Sequence, residues 1–119
     1  MQILVNTDDH IQGGESLAQW VQDEAASRLA RLSESITRLE VFLTDLDGGK
    51  SGVNDKRCRL EARVAGRQPV SVTADADKMA TAFIDSIDKL MRLLDAELGR
   101  VKDRHGRDTI RTAQEPEQE

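Results

Sequence analysis

Alternation and helical spacing take turns along this chain and divide it into six elements. Residues 2–7 (Gln-Ile-Leu-Val-Asn-Thr) read as a short strand that ends in the polar run Asp8-Asp9-His10. From Glu15 the period changes. Leu17, Trp20, Val21, Ala25, Leu29 and Leu32 recur at helical spacing and form one apolar face, which places Trp20 in the core. Ser16 or the Gly13-Gly14 pair marks the helix start. From Ile36 alternation returns, with Leu39, Val41 and Leu43 on one face of a strand and Arg38, Glu40 and Phe42 on the other. The turn-rich run 47–52 leads to a second alternating stretch, with Cys58, Leu60, Ala62 and Val64 inward and Arg57, Arg59, Glu61 and Arg63 outward. After a turn at 65–69, Val70, Val72 and Ala74 alternate with Ser71 and Thr73. Asp77 is the expected N-cap of a long closing helix whose apolar stripe is Met79, Phe83, Ile87, Leu90, Leu94 and Val101.

The order β-α-β-β-β-α predicts an α+β fold. One-sided alternation in successive runs joined by short turns implies an antiparallel sheet with one covered face. Both helices need a partner for their stripes, so they are expected side by side on that face of a four-stranded sheet. The pattern stops near Arg104, where the helix would be about 40 Å long and would project beyond the sheet. Gly99 costs that helix about 1 kcal/mol relative to alanine. Residues 1–104 are therefore expected to form one domain, and 105–119 a disordered acidic tail.

Charge changes the functional picture. Seventeen basic residues face 22 acidic ones, a formal net of −5 that works against phosphate binding unless cations gather locally. They do so over residues 50–67, where six basic residues meet two acidic ones. No apolar run approaches the roughly 20 residues of a membrane span, and no secretory signal is visible. With Cys58 the only cysteine, the cytoplasm is the expected compartment.

Catalytic chemistry finds few converging groups, so no enzyme activity, metal or cofactor is expected. Gly49-Lys50-Ser51 imitates the end of a phosphate-binding P-loop, but Thr44 stands where that motif needs glycine, and a strand rather than a helix follows. Asp8, Asp9 and His10 are three adjacent turn residues that cannot all face one ion. Cys58 points inward as a small hydrophobe, away from the cationic environment that activates a thiol. Of three aromatics only Phe42 points outward, too few for binding by base stacking.

The closing helix is where the chain becomes recognisable. Met79, Ala82-Phe83, Asp88-Lys89-Leu90 and Arg92-Leu93-Leu94 match the pattern of the ribosome hibernation promoting factor and protein Y family. The opening Met1-Gln2-Ile3-Leu4-Val5 and the Ile36-Thr37-Arg38-Leu39-Glu40-Val41 strand entry also resemble it, collinearly over about residues 1–104. The resemblance implies a non-enzymatic protein that binds the small ribosomal subunit through ribosomal RNA, blocks tRNA and mRNA, and idles ribosomes under stress. It implies contacts by basic residues of both helices: Arg28 and Arg31 at the end of the first, and Lys89, Arg92, Arg100 and Lys102 on the second. Departures from the family pattern are Ala96 and Leu98 where lysines are common, with Asp95 and Glu97 between the cations. The length leaves no room for the extra C-terminal domain of long family members, and the acidic tail resembles that of protein Y, which implies single idling ribosomes rather than pairs.

Arg38, Arg57, Arg59 and Arg63 form a secondary basic surface on the open sheet face, interrupted by Glu40 and Glu61. That surface reads first as a solvated face with cross-strand ion pairs, then as an RNA surface or a homodimer contact. No membrane or small-molecule partner is expected. The alternative function is an acidic protein-interaction or regulatory module that keeps the fold without ribosome affinity.

Overall fold

The computed structural model describes residues 1–8, 11, 14–46 and 55–113, with side chains as far as Glu97. Its elements are β1 (Gln2–Thr7), α1 (Gly14–Arg28), a 3-10 turn (Ala30–Leu32), β2 (Ile36–Asp45), β3 (Lys56–Val64), β4 (Val70–Ala76) and α2 (Met79–Ala113). They form a four-stranded sheet in chain order, β1-β2-β3-β4.

The meander is antiparallel, with Val41 opposite Leu60 and Leu60 opposite Val72. β1 instead pairs parallel to β2, Ile3 beside Leu39 and Val5 beside Val41. The sheet is thus mixed rather than wholly antiparallel as expected: α1 carries the chain back along the covered face, so β2 starts at the same end as β1. Gly66, at φ 72°, turns β3 into β4 in the left-handed region that glycine enters without steric cost.

One face of the sheet is apolar because the alternation holds in every strand. Leu39, Val41, Leu43, Cys58, Leu60, Ala62 and Val64 are buried with Ala74 and Ala76 of β4. α1 adds Val21 and Ala25 over β1, and α2 adds Phe83, Ile87, Leu90 and Leu94 over β3 and β4. Each large side chain on α2 stabilises the fold by about 1.5–3 kcal/mol before its ordering entropy is counted. Ser86 joins them fully buried, its hydroxyl donating to the Phe83 carbonyl at 2.7 Å. Cys58, also fully buried, has its Sγ 3.1 Å from Ser86 Oγ, and burial pushes its thiol up to about 11.

Three local expectations shift. Trp20 is 36% exposed rather than buried. Its ring meets Phe83 edge-on, centroids 5.6 Å apart, so it lies at the rim of the core, where α1 meets α2. Asp77 is not the N-cap: α2 begins at Met79, and no hydrogen bond of the Asp77 carboxylate is found among the described residues. α2 runs on to Ala113 rather than ending near Arg104. After Gly106 the next strong helix breaker is Pro116, so propensity sustains the helix after its apolar stripe has ended. The acidic residues 115–119 and the Gly49-Lys50-Ser51 turn lie outside the described residues.

Candidate nucleic-acid interface

The expected RNA-contacting cations reach the surface on different flanks of the helical layer. Lys89 extends toward the sheet edge, where its Nζ donates to the Thr73 carbonyl of β4 at 2.8 Å. Arg31, in the 3-10 turn, approaches α2 from the other side and makes a two-pronged pair with Asp95, at 2.8 and 2.7 Å. Arg92 lies between these flanks, about 60° around the helix from both Lys89 and Asp95. A band therefore wraps the outside of α2 in the order Lys89, Arg92, Asp95 with Arg31.

Acidic neighbours interrupt the band. Arg28 is held by Glu24, one turn earlier on α1, at 3.0 Å. Lys89 and Arg92 share a shallow cleft with Asp75, Asp85 and Asp88. Among the described residues Arg92 makes no ion pair, which leaves its guanidinium the most available cation on this surface. Mutual hydrogen bonding holds the Asp95 carboxyl below the usual carboxylate range and raises Arg31 above its ordinary value. Both partners are about half exposed, 56% and 47%, so water and salt screen their attraction. The side chains of Arg100 and Lys102 lie outside the described residues, although their backbone belongs to α2.

The open face holds the second basic group. Arg57 pairs with Asp75 of β4 through two hydrogen bonds, at 2.8 and 3.0 Å. Arg59 bonds Glu61 on its own strand and lies over the Phe42 ring, 5.1 Å from the centroid. Arg38 approaches Glu40 at 3.5 Å, and Glu40 also accepts from the Asn6 amide at 3.1 Å. Arg63 makes no side-chain ion pair among the described residues.

Sequence reasoning identified these cations but missed how they are held. Spacing could have paired Glu24 with Arg28, a favourable i, i+4 arrangement. The contacts of Arg31 with Asp95 and of Lys89 with the Thr73 carbonyl join residues distant in sequence, so only the packing reveals them. Asp8, considered with Asp9 and His10 for metal, accepts from the Asp45 backbone N–H at 2.9 Å. Asp9 and His10 lie outside the described residues, and no group of three potential ligands forms among those described.

The comparisons match this architecture. The model of the family described as sigma 54 modulation protein / S30EA ribosomal protein matches residues 4–105. The N-terminal domain of Thermus thermophilus Protein Y superimposes with a TM-score of 0.63 at 18% identity, covering 81% of this chain and 98% of that one. A ribosomal subunit interface protein from Coxiella burnetii gives 0.52 at 16% identity, covering 87% of this chain and 99% of that one. A search of curated proteins finds no match. At these identities the two structures establish a shared fold, while the family match takes in β1 through the middle of α2. The chain belongs to the sigma 54 modulation protein / S30EA ribosomal protein family, the ribosome-associated hibernation and modulation factors that its closing helix resembles.

Proposed function

We propose that this protein is a cytoplasmic hibernation factor that docks its helical layer on the small ribosomal subunit and blocks tRNA and mRNA by occupying their space. The family match over residues 4–105 carries the reading, because it takes in α1, α2 as far as residue 105, and all six proposed contact residues: Arg28, Arg31, Lys89, Arg92, Arg100 and Lys102. The mechanism involves no bond making. Guanidinium and ammonium groups neutralise ribosomal RNA phosphates, displacing counterions, and the bulk of the fold excludes the ribosome's ligands.

The intramolecular ion pairs are compatible with that role because they are exchangeable. Arg31 and Arg28 lie in solvent-exposed pairs of little net strength, and a phosphate can replace the carboxylate with similar geometry. The cost is moderate affinity. The expected docking is strongest at low salt, with Arg92 engaged first.

Sedimentation of the full chain with small subunits across a salt series tests the proposal. Co-migration at low salt, weakened when Lys89 and Arg92 are both changed to Glu, is the expected result. Failure to co-migrate at every salt concentration ends the reading. The net charge of −5 and the acid-held Arg28 and Arg31 favour a second reading, an acidic protein-interaction module. Capture of a defined protein partner without ribosomal RNA selects that alternative.

A further inference from the structure

α2 outlasts the sheet it packs on. Glu97 accepts from Arg67 Nη1 at 3.1 Å, and Arg67 belongs to the turn between β3 and β4. Leu93, Leu94 and Glu97 line one cleft with Gly66 and Pro69 of that same turn. The helix therefore reaches the end of the sheet near Glu97, while its backbone continues to Ala113. At 1.5 Å per residue, positions 98–113 carry α2 about 24 Å past the turn. A helix that leaves its packing surface relies on propensity or on a partner.

Charge is distributed unevenly on this extension. Residues 98–113 hold Arg100, Lys102, Arg104, Arg107 and Arg111 against Asp103 and Asp108, a net of +3 in a chain whose total is −5. Four of these five cations share one side. At 3.6 residues per turn, the positions of Arg100, Arg104, Arg107 and Arg111 fall within an arc of about 60° and within about 16 Å of helix axis. Asp103 and Asp108 fall about 40° outside the two edges of the arc, too few to neutralise four guanidinium groups. The stripe also lies clear of the packed side, since the buried Leu94 is about 110° from its midline. Toward the N-terminus it runs on to Lys89, within about 20° of Arg100, on the flank where Lys89 meets the Thr73 carbonyl of β4.

We propose that the arginine stripe of Arg100, Arg104, Arg107 and Arg111, on the projecting end of α2, is a binding surface for the phosphodiester backbone of RNA that extends the contacts of the helical layer. Each guanidinium is a planar fork suited to two phosphate oxygens, and a row of them at helical intervals suits a charged strand rather than one point anion. No Phe, Trp or Tyr occurs over residues 98–113, so the bases are not held by stacking. Counterion release drives the binding, which is indifferent to base sequence. The choice of RNA among polyanions rests on the ribosomal reading above. Arg107 and Arg111 lie beyond residue 105, where the family match ends, so half of the stripe extends past what that family model covers.

The test measures the fluorescence anisotropy of a labelled RNA hairpin titrated with the full chain across a potassium chloride series. The parent should bind. Arg107→Gln with Arg111→Gln should weaken binding roughly tenfold at low salt and flatten the slope of log K against log salt by about 2, one for each lost phosphate contact. Glutamine matches arginine closely in helix propensity, so the substitution removes charge and leaves the helix. Lys50→Gln with Lys78→Gln removes the same charge elsewhere on the chain and should leave the affinity within about twofold. Absence of binding by the parent, an arginine variant that binds like the parent, or equal weakening in both double variants overturns the proposal. The hairpin assay contains no ribosome, which separates the two readings. A parent that binds the hairpin through Arg107 and Arg111 but never co-migrates with small subunits keeps the stripe and loses the ribosomal function. Co-migration with subunits, while hairpin binding ignores those two arginines, does the reverse.

Discussion

The two faces of β3 belong to the same nine residues and obey different physics. On the covered side Cys58, Leu60 and Ala62 are fully buried, and each meets apolar atoms from α2 or a neighbouring strand. On the open side Arg57 pairs with Asp75 and Arg59 with Glu61, Arg59 also lies over the Phe42 ring, and Arg63 makes no ion pair among the described residues. Burial makes the first side intolerant, because lost area and empty volume cannot be replaced by solvent. The second side is exchangeable, because water or an incoming anion can substitute for any of its partners. Stability is therefore concentrated under the helices, and the rest of the surface is free to carry binding.

Phe83→Ala strikes the covered side hardest. It should cost about 3–5 kcal/mol in urea unfolding, as expected for a buried aromatic at full packing. The same variant removes the ring that Trp20 leans on, so the emission of this single tryptophan should shift to the red in the native state. A cost below about 1 kcal/mol would break the contrast between the faces.

Cys58 provides the next test. Its thiol has an ordinary value of 9.0 and is pushed to about 11 by burial. The folded state therefore prefers the protonated thiol more than the unfolded state does. That stability is fully present below pH 9 and is lost as pH rises toward 11, on the order of 2 kcal/mol. Cys58→Ala should flatten this part of the stability–pH curve relative to the parent, measured by denaturant titration at each pH. An unchanged slope would mean the thiol is not held neutral by burial.

The open side should respond weakly, in some cases with the opposite sign. Arg63→Gln removes one of two like charges, Arg38 and Arg63, that lie directly opposite each other on β2 and β3, and should raise stability by a few tenths of a kcal/mol. A clear loss of stability instead would show that Arg63 has a structural partner. Smaller still is the effect of Asp95, whose carboxyl is held below its ordinary range by Arg31. The contribution of the pair is present above the unfolded carboxylate value and is lost as pH falls through the lower folded one. Asp95→Asn should leave the melting temperature near neutral pH almost unchanged, because both groups are exposed, and should reduce the loss on acidification. By releasing Arg31 it should also strengthen co-sedimentation with small subunits.

Much of the fold was legible because burial acts with a simple period. The inward sets of β2 and β3 and the α2 stripe of Phe83, Ile87, Leu90 and Leu94 follow from alternation and from 3.6 residues per turn. What escaped depends on contacts between distant residues or on competing local terms. Trp20 has the right spacing for the core but lies at its rim, against the edge of Phe83, so part of its bulk stays exposed. Asp77 is a good capping residue one position too early. The bulge at Thr37, where the β2–β3 register shifts between Ile36 and Arg38, did leave a trace that the reading passed over: the buried Ile36 and Leu39 are separated by two polar residues, which breaks a strict period of two. Candidate cations could be counted from the sequence, whereas which acids would hold them could not.

The strand order also has a consequence for how the chain is made. Because β1, β2, β3 and β4 lie side by side in the order of synthesis, each strand emerging from the ribosome finds its neighbour already present. α2 comes last and packs on the apolar side of β3 and β4. Until it arrives, a nascent sheet carries a bare oily surface that other chains can stick to. The closing helix is thus a late-arriving lid, and a polypeptide cut short before Met79 would be a candidate for aggregation rather than a smaller working domain.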